Sequence, residues 1–368
     1  MKKAVKIAII SAAAVAVAAG VLFVAIPLAT SKQAEARLGE ALAEAGIPED
    51  MWSVGRTYYV PLLGHLVIEK LDLGGMLKAK KITLALNTGR EDLFAGSVDV
   101  REASFSFPGY AADIAVKSLS VDDFSVDKAM FGYSPVEAVK KVGNIRLSNA
   151  VIGQRGRTYY SLGKFHVNAG YAEGKPPLPS SVSLKDLTMD VRQFVPLPVS
   201  RPEYRFSNIE FKNSLSDGVY TVDLAIDGDK LFAIKARLGV SLPHSLFASG
   251  EITALSRIDY GEDVKLNSLT LTYTDKSFLD HVFELAGMSG GRAVAAEQLN
   301  ETLMMFAGMS GTDTERFAGE AAKFIAKPGK FELKTNIYSP VSFEEIVRNP
   351  FAVNLSLSIN GGKPFTTR

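Results

Sequence analysis

The chain has 368 residues, of which 47% are hydrophobic and 22% charged, with a formal net charge of +1. It is too apolar for a disordered polymer, and as a whole too neutral to present a basic field to nucleic acid. Cysteine is absent, which excludes disulfides, thiolate metal sites and cysteine nucleophiles together.

The N-terminus carries Lys2, Lys3 and Lys6, and then no charge until Lys32. A helix rising about 1.5 Å per residue crosses a bilayer with roughly 20 apolar residues, and Ile7 to Thr30 supplies them. Residues 1–31 are therefore predicted to form a transmembrane signal anchor, with Ile7, Ile10, Val21, Leu22, Phe23 and Ile26 among its bilayer-facing side chains. The preceding lysines should stay in the cytoplasm, which places the rest of the chain on the far side of the membrane. A cleaved signal is the other reading, since Ala29-Thr30-Ser31 and Ala34-Glu35-Ala36 have small residues at the spacing a signal peptidase accepts. Both readings lead to the same compartment, and the length of the apolar core favours retention.

Residues 32–48 have the spacing of a short juxtamembrane helix, stopped by Gly46-Ile47-Pro48. From 49 to 273 the period changes to two and β-branched and aromatic residues multiply, which predicts a β-rich repeat domain. One pattern recurs in it: two alternating apolar residues, a mostly polar doublet, then two more. Examples are Leu66-Ile68-Leu71-Leu73, Leu77-Ala79-Ile82-Leu84, Val98-Val100-Ala103-Phe105 and Ile114-Val116-Leu119-Val121. Others are Tyr160-Leu162-Phe165-Val167, Val182-Leu184-Leu187-Met189, Tyr204-Phe206-Ile209-Phe211 and Val264-Leu266-Leu269-Leu271, with a weaker copy ending in Val142-Ile145-Leu147. Two inserted residues would turn the second apolar pair to the wet face unless a β-bulge restores it, so each copy is expected to be a bulged strand with one dry side.

Tyr220 to Asp227 alternates, and Asp227-Gly228 predicts a tight hairpin turn before Phe232, Ile234, Ala236 and Leu238 return. Ser134-Pro135 has the form of a helix start, and the prolines at 176–179 and 196–202 belong in loops or at sheet edges. Residues 274–327 are predicted as a helical insertion: Phe278 to Ala286 capped by Ser277, Val294 to Ala307, and Glu315 to Ala326 with Thr312 and Glu315 as a capping box. The repeated Ala-Gly-Met-Ser-Gly at 286–290 and 307–311 suits helix C-caps. Residues 328–368 hold the last strands, at Phe331 to Ile337 and Val353 to Ile359.

Chemistry is hard to find. His65, His166, His244 and His281 never pair at metal-ligand spacing, and neither a nucleophile elbow nor a phosphate loop occurs. Asp122-Asp123, Asp227 with Asp229, and Glu344-Glu345 could be ligands or an acid–base pair, but strand ends, a turn and a helix N-terminus account for them. Trp52, Tyr58 and Tyr59 suit either a membrane interface or a core. No catalytic residue, metal site or cofactor is expected.

An N-terminal anchor followed by segments such as Ala79-Lys80-Lys81-Ile82-Thr83-Leu84, Val116-Lys117-Ser118-Leu119-Ser120-Val121 and Leu184-Lys185-Asp186-Leu187-Thr188-Met189 resembles the AsmA-like and YdgA-like bacterial envelope proteins. The resemblance covers roughly residues 1 to 273 and rests on pattern. It implies a single-pass protein of the bacterial inner membrane with its bulk in the periplasm, and a mainly β fold: an elongated, twisted antiparallel sheet with bulged strands, open as a groove or closed as a sandwich; the small helical insertion lies outside the family's simple repeat. It further implies that an apolar groove face shields lipid, with inner-membrane lipid, phospholipid or envelope proteins as partners. On that reading Leu71, Leu73, Ile82, Leu84, Leu119, Val121, Phe165, Val167, Leu187, Met189, Ile209, Phe211, Leu269 and Leu271 line the groove face. A structural module that binds another envelope protein is the alternative, and a hydrolase built on scattered carboxylates is a third reading.

Overall fold

Strands with one apolar side pair edge to edge wherever short turns allow it, and most of the described residues do this. The computed structural model describes residues 36, 39, 48–60, 64–86, 94–107, 112–126, 139–141, 143–154, 156–168, 180–193, 202–216, 218–243, 262–285, 292–294, 296–298, 301, 312–349 and 353–366. The anchor segment, with Ile7, Ile10, Val21, Leu22, Phe23 and Ile26, lies outside them, as do His244, the Ser134-Pro135 helix start and both Ala-Gly-Met-Ser-Gly repeats. Among the described residues, no helix is long and apolar enough to cross a membrane. The chain divides into two compact units, Met1–Glu173 and Gly174–Arg368, so residues 49–273 contribute to both.

The first unit is an antiparallel meander. It runs through β1 (Trp52–Ser53), β2 (Arg56–Val60), β3 (His65–Leu73), β4 (Leu77–Leu86), β5 (Phe94–Phe107), β6 (Ala112–Val126), β7 (Val139–Lys141), β8 (Asn144–Gln154) and β9 (Arg157–Asn168). β1 and β2 share one edge of β3, and β7 is a short partner at the end of β6, beside which β8 takes the main place.

In this unit the polar doublets do not act as bulges. Glu69 faces Lys81 while Leu71 faces Ala79, and Arg101 faces Ser118 while Ala103 faces Val116, so pairing continues across each doublet without a shift. Instead, every second strand places one doublet residue in the left-handed region: Lys70 at φ 56°, Glu102 at 48° and Asn149 at 48°. A bulge in one strand shifts register only against a partner that lacks one. Here each strand is interrupted at the same level, and the interruptions cancel. Gly55, between β1 and β2, completes the level: a Cβ there would stand 3.0 Å from the Lys70 Cβ. Register shifts do occur in this unit, at Gly96/Val98, Ser125/Val126 and Ile152/Gly153, but outside the doublets.

The second unit contains β10 (Ser181–Asp190), β11 (Glu203–Ser216), β12 (Val219–Asp227), β13 (Phe232–Ser241), β14 (Lys265–Asp275), β15 (Lys330–Thr335), β16 (Val341–Ser342), β17 (Leu355–Ile359) and β18 (Phe365–Thr366), again antiparallel throughout. The hairpin from β12 to β13 forms as expected, but its loop takes four residues, 228–231, with Asp229 as the left-handed one at φ 50°. Leu231 explains the extra length. It is 2% exposed, and its carbonyl accepts the backbone N–H groups of Lys276, Ser277 and Phe278.

Those three amides lead into α1 (Phe278–Leu285), which with α2 (Thr312–Ala326) lies on the apolar side of β13 to β15. Phe278 meets Phe232 edge-on at 5.1 Å between ring centroids, and Phe324 does the same to Tyr273 and Phe331 at 5.9 and 5.3 Å. Ser277 does not cap α1: its hydroxyl donates to the Lys230 carbonyl, and Asp275 Oδ1 accepts the Leu279 N–H in its place. A short α3 (Phe343–Arg348) has Ser342 as N-cap, accepting the Glu345 N–H, with Glu344 and Glu345 in its first turn as the dipole favours. Tyr220, Val240, Val264, Leu266, Val341 and Val353 form a core cluster beneath it, with Phe343 and Ile346 packed against it.

Candidate functional site

Matched interruptions keep the four apolar positions of each repeat level across the first unit, and the consequence is four continuous rows. The first runs Leu66, Leu84, Val98, Val121, Ile145, Val167; the second Ile68, Ile82, Val100, Leu119, Leu147, Phe165. Beyond the doublets, Leu71, Ala79, Ala103, Val116, Ala150 and Leu162 make the third, and Leu73, Leu77, Phe105, Ile114, Ile152 and Tyr160 the fourth. Each member faces its neighbour directly across the ladder, the position in which cross-strand apolar pairs stabilise a sheet most.

Burial along these rows is graded. On β3 and β4, Leu71, Leu73, Ile82 and Leu84 are 0 to 6% exposed and belong to a filled core. Leu119, Val121, Phe165 and Val167 sit on the same rows in β6 and β9 but are only half-buried. The sequence pattern thus places these eight groove-face residues on one face, and the fold splits them into a sealed end and a partly open one. In the second unit Leu187, Met189, Ile209 and Phe211 are half-buried on the facing strands β10 and β11, where Leu184 opposes Ile209 and Leu187 opposes Phe206. Leu269 packs against the core cluster, and Leu271 lies between Ala236 and Leu333. Missing from the expected set is the copy on β8. The repeat there is Ile145-Leu147-Ala150-Ile152, so the weak copy begins where the sequence reading ends it, its second half disguised by the small Ala150.

Several of the polar groups singled out in the sequence have partners. His166 Nε2 lies 3.3 Å from Asn144 Oδ1, and His281 Nδ1 3.4 Å from Glu284. Asp122 pairs with Arg146 at 2.7 Å, Asp227 with Lys276 at 2.9 Å, and Glu344 with Arg348. The buried carboxylate of Asp190 accepts the Arg192 backbone N–H and both ends of its guanidinium fork, at 2.9 to 3.0 Å. On the polar face of β11 to β14 a shallow hollow of about 460 Å³ is lined by Lys212, Asp223, Lys235, Arg237, Thr270 and Thr272, among others. Its carboxylates are engaged too, Glu210 by Lys212 at 2.8 Å and Asp223 by a two-pronged Arg237 at 2.6 and 3.1 Å, which holds the Asp223 carboxyl below its ordinary range. Among the described residues, no group of three or more His, Asp or Glu side chains could hold a metal ion.

The arrangement can therefore offer apolar area at a half-open sheet face, and the carboxylates named here are engaged by neighbouring cations or amides. Comparison with known proteins adds little chemistry. No characterised protein matches the chain. A family model described as "Uncharacterized protein" matches residues 225–359, which is less than half of the chain and runs from the end of β12 to the end of β17, spanning the helical layer and the strands on either side of it.

Proposed function

We propose that this is a non-catalytic protein of the bacterial envelope, held in the inner membrane by its N-terminal apolar segment, whose periplasmic β-meander shields lipid acyl chains and so serves lipid transport or outer-membrane assembly. The observation that carries the reading is the burial gradient along the four apolar rows. A face that is 0 to 8% exposed at β3 and β4 and half-buried at Leu119, Val121, Phe165 and Val167 leaves apolar area for an acyl chain to cover. Each methylene removed from water there contributes about 0.8 kcal/mol, and no side chain need act chemically. In the second unit the aromatic side chains of α1 and α2 already occupy the corresponding face of β13 to β15, so the shielding surface is assigned to the first unit.

Photocrosslinking tests this. A photoreactive side chain at Leu119 or Phe165 of the full chain should trap phospholipid in cells, and one at Leu84, which is 0% exposed, should not. Native mass spectrometry of the purified protein should find the same lipid. If neither position traps lipid and the purified chain carries none, the reading fails. Tyr338 at 95% and Val347 at 81% exposure favour a second reading, in which the second unit binds an envelope protein; crosslinks from these two positions to a polypeptide would support it.

A further inference from the structure

Along the chain the lysines are mostly dispersed among acids, with Lys78, Lys80 and Lys81 as one short cluster. Folding changes their company. Because the doublets of the first unit lie level with one another, they stack on the side opposite the apolar rows into a band two residues deep. One line of the band is Glu69, Lys81, Arg101, Ser118, Ser148 and Lys164. The other, fixed by the pairs that flank it, is Lys70, Lys80, Glu102, Lys117, Asn149 and Gly163. Against the cations Lys70, Lys80, Lys81, Arg101, Lys117 and Lys164 stand only Glu69 and Glu102.

Glu102 is engaged by Lys80 at 2.6 Å, and Glu69 accepts the Tyr58 hydroxyl at 3.2 Å. Arg101 reaches Asp99 at 3.8 Å. Lys70, Lys81, Lys117 and Lys164 make no ion pair among the described residues, and Lys70, Lys117 and Lys164 are exposed. Six strands at about 4.8 Å spacing extend the band over about 24 Å, a line of charge that the whole-chain balance of +1 conceals.

We infer that this lysine band is a docking surface for the anionic headgroups of a phospholipid bilayer. Lysine is a compact, hydrated point charge on a flexible stem, suited to diffuse attraction by a charged surface, whereas paired recognition of single phosphates favours arginine. The band holds one arginine, and the ring at its edge, Tyr58, is covered by the Arg56 guanidinium at 4.9 Å and hydrogen-bonded to Glu69, which argues against the base stacking that nucleic acid needs. The attraction is independent of whether the apolar rows on the other face hold a ligand.

The test is partition of the full chain between vesicles of phosphatidylcholine alone and a three-to-one mixture of phosphatidylcholine with phosphatidylglycerol, read as the ratio of the two affinities. The N-terminal apolar segment enters every variant equally and cancels. Replacing Lys70, Lys81, Lys117 and Lys164 together by glutamine should lower the anionic preference at least tenfold, since a lysine near an anionic surface is worth roughly fivefold. Glutamine at Lys230, Lys235, Lys265 and Lys334, the same change of net charge in the second unit, should alter it less than twofold. Glu102→Gln removes an acid from the band and frees Lys80, and should raise the preference severalfold, a gain that misfolding cannot imitate. Equal losses from both quadruple variants, no loss from the first, or no gain from Glu102→Gln would overturn the inference. So would a salt-sensitive complex with an acidic protein in the absence of any anionic-vesicle preference.

Discussion

The pair β5–β6 in the first unit and the pair β13–β14 in the second carry the same sequence device with opposite results. In β5 the doublet Arg101-Glu102 lies level with Lys117-Ser118 of β6, both strands are interrupted together, and the register on either side is unchanged. In β14 the doublet Asn267-Ser268 faces a strand that alternates without interruption, and here the ladder does shift: Leu238 faces Leu269, but Val240 faces Leu266. Asn267 is the extra residue of a true bulge, held by the Ser241 hydroxyl at 3.0 Å. A polar doublet between apolar pairs therefore has no fixed structural meaning. Its neighbour decides whether it becomes a bulge or one step of a level crease.

Single-residue deletions should break the symmetry between the two pairs, and with the largest effect of any change considered. Deleting Glu102 removes the interruption from β5 alone, which turns Ala103 and Phe105, 3 and 5% exposed, toward water or shears β5 against both neighbours. A loss of about 4 kcal/mol or more is expected, enough to abolish hydrogen-exchange protection in β4 to β6. Deleting Asn267 gives β14 the plain alternation that β13 already has and should cost only about 1 kcal/mol. If the two deletions cost the same, the crease is not a matched set.

The next effect concerns the residue opposite the bulge. A Cβ on Gly239 would stand 2.7 Å from the Ser268 hydroxyl, so Gly239→Ala should cost about 1 to 2 kcal/mol by thermal denaturation. Ser268→Ala takes away the oxygen in question and should recover most of that loss in the double variant. A purely additive double variant would place the strain elsewhere.

What the sequence makes legible follows from this. Alternation in Leu66 to Leu73 or Tyr220 to Ile226 identifies strands and their dry side because it depends on one strand alone. The same holds for α1 and α2, whose periodicity is local, and for the acidic start of α3. The outcome of each doublet is not local, and so Lys70, Glu102 and Asn149 could not be recognised as left-handed residues in place of bulges. The Asp227-Gly228 turn is lengthened by the burial of Leu231, and Ser277 loses its cap to Asp275; both follow from contacts formed only when α1 reaches the sheet. The half-open apolar face could be listed by residue but not graded, since nothing in the sequence distinguishes Leu84 from Val121 in one row. The lysine band could not be read either, because it is a property of register.

Tyr220 sharpens the contrast within the second unit. It is 4% exposed in the core cluster, and its hydroxyl has no hydrogen-bond partner among the described residues. Burial pushes the phenol up to about 12. The folded state favours the protonated phenol, so this contribution is complete below the unfolded value near 10 and is lost as pH rises from there toward 12. Tyr220→Phe should stabilise the unit by about 1 kcal/mol at neutral pH and flatten its loss of stability above pH 10. A destabilised variant would mean that the hydroxyl is in fact satisfied.

The smallest expected effect lies on the polar face of the same sheet, where Asp223 and Arg237 face each other across β12 and β13. The Arg237 hydrogen bonds hold the Asp223 carboxyl below its ordinary value, so the pair stabilises the fold at neutral pH, and that contribution disappears as pH falls through the lowered value. The Asp223 side chain is 43% exposed, and solvent screens such a pair to a few tenths of a kcal/mol. Arg237→Gln should accordingly leave the neutral melting temperature almost unchanged while returning the Asp223 titration, followed by carboxyl carbon NMR, to the range of an unpaired aspartate. A matching substitution at Lys80 in the first unit should shift the melting temperature no more, because a charged pair standing on the wet face of a sheet is the same small term whether the strands beneath it are creased or straight.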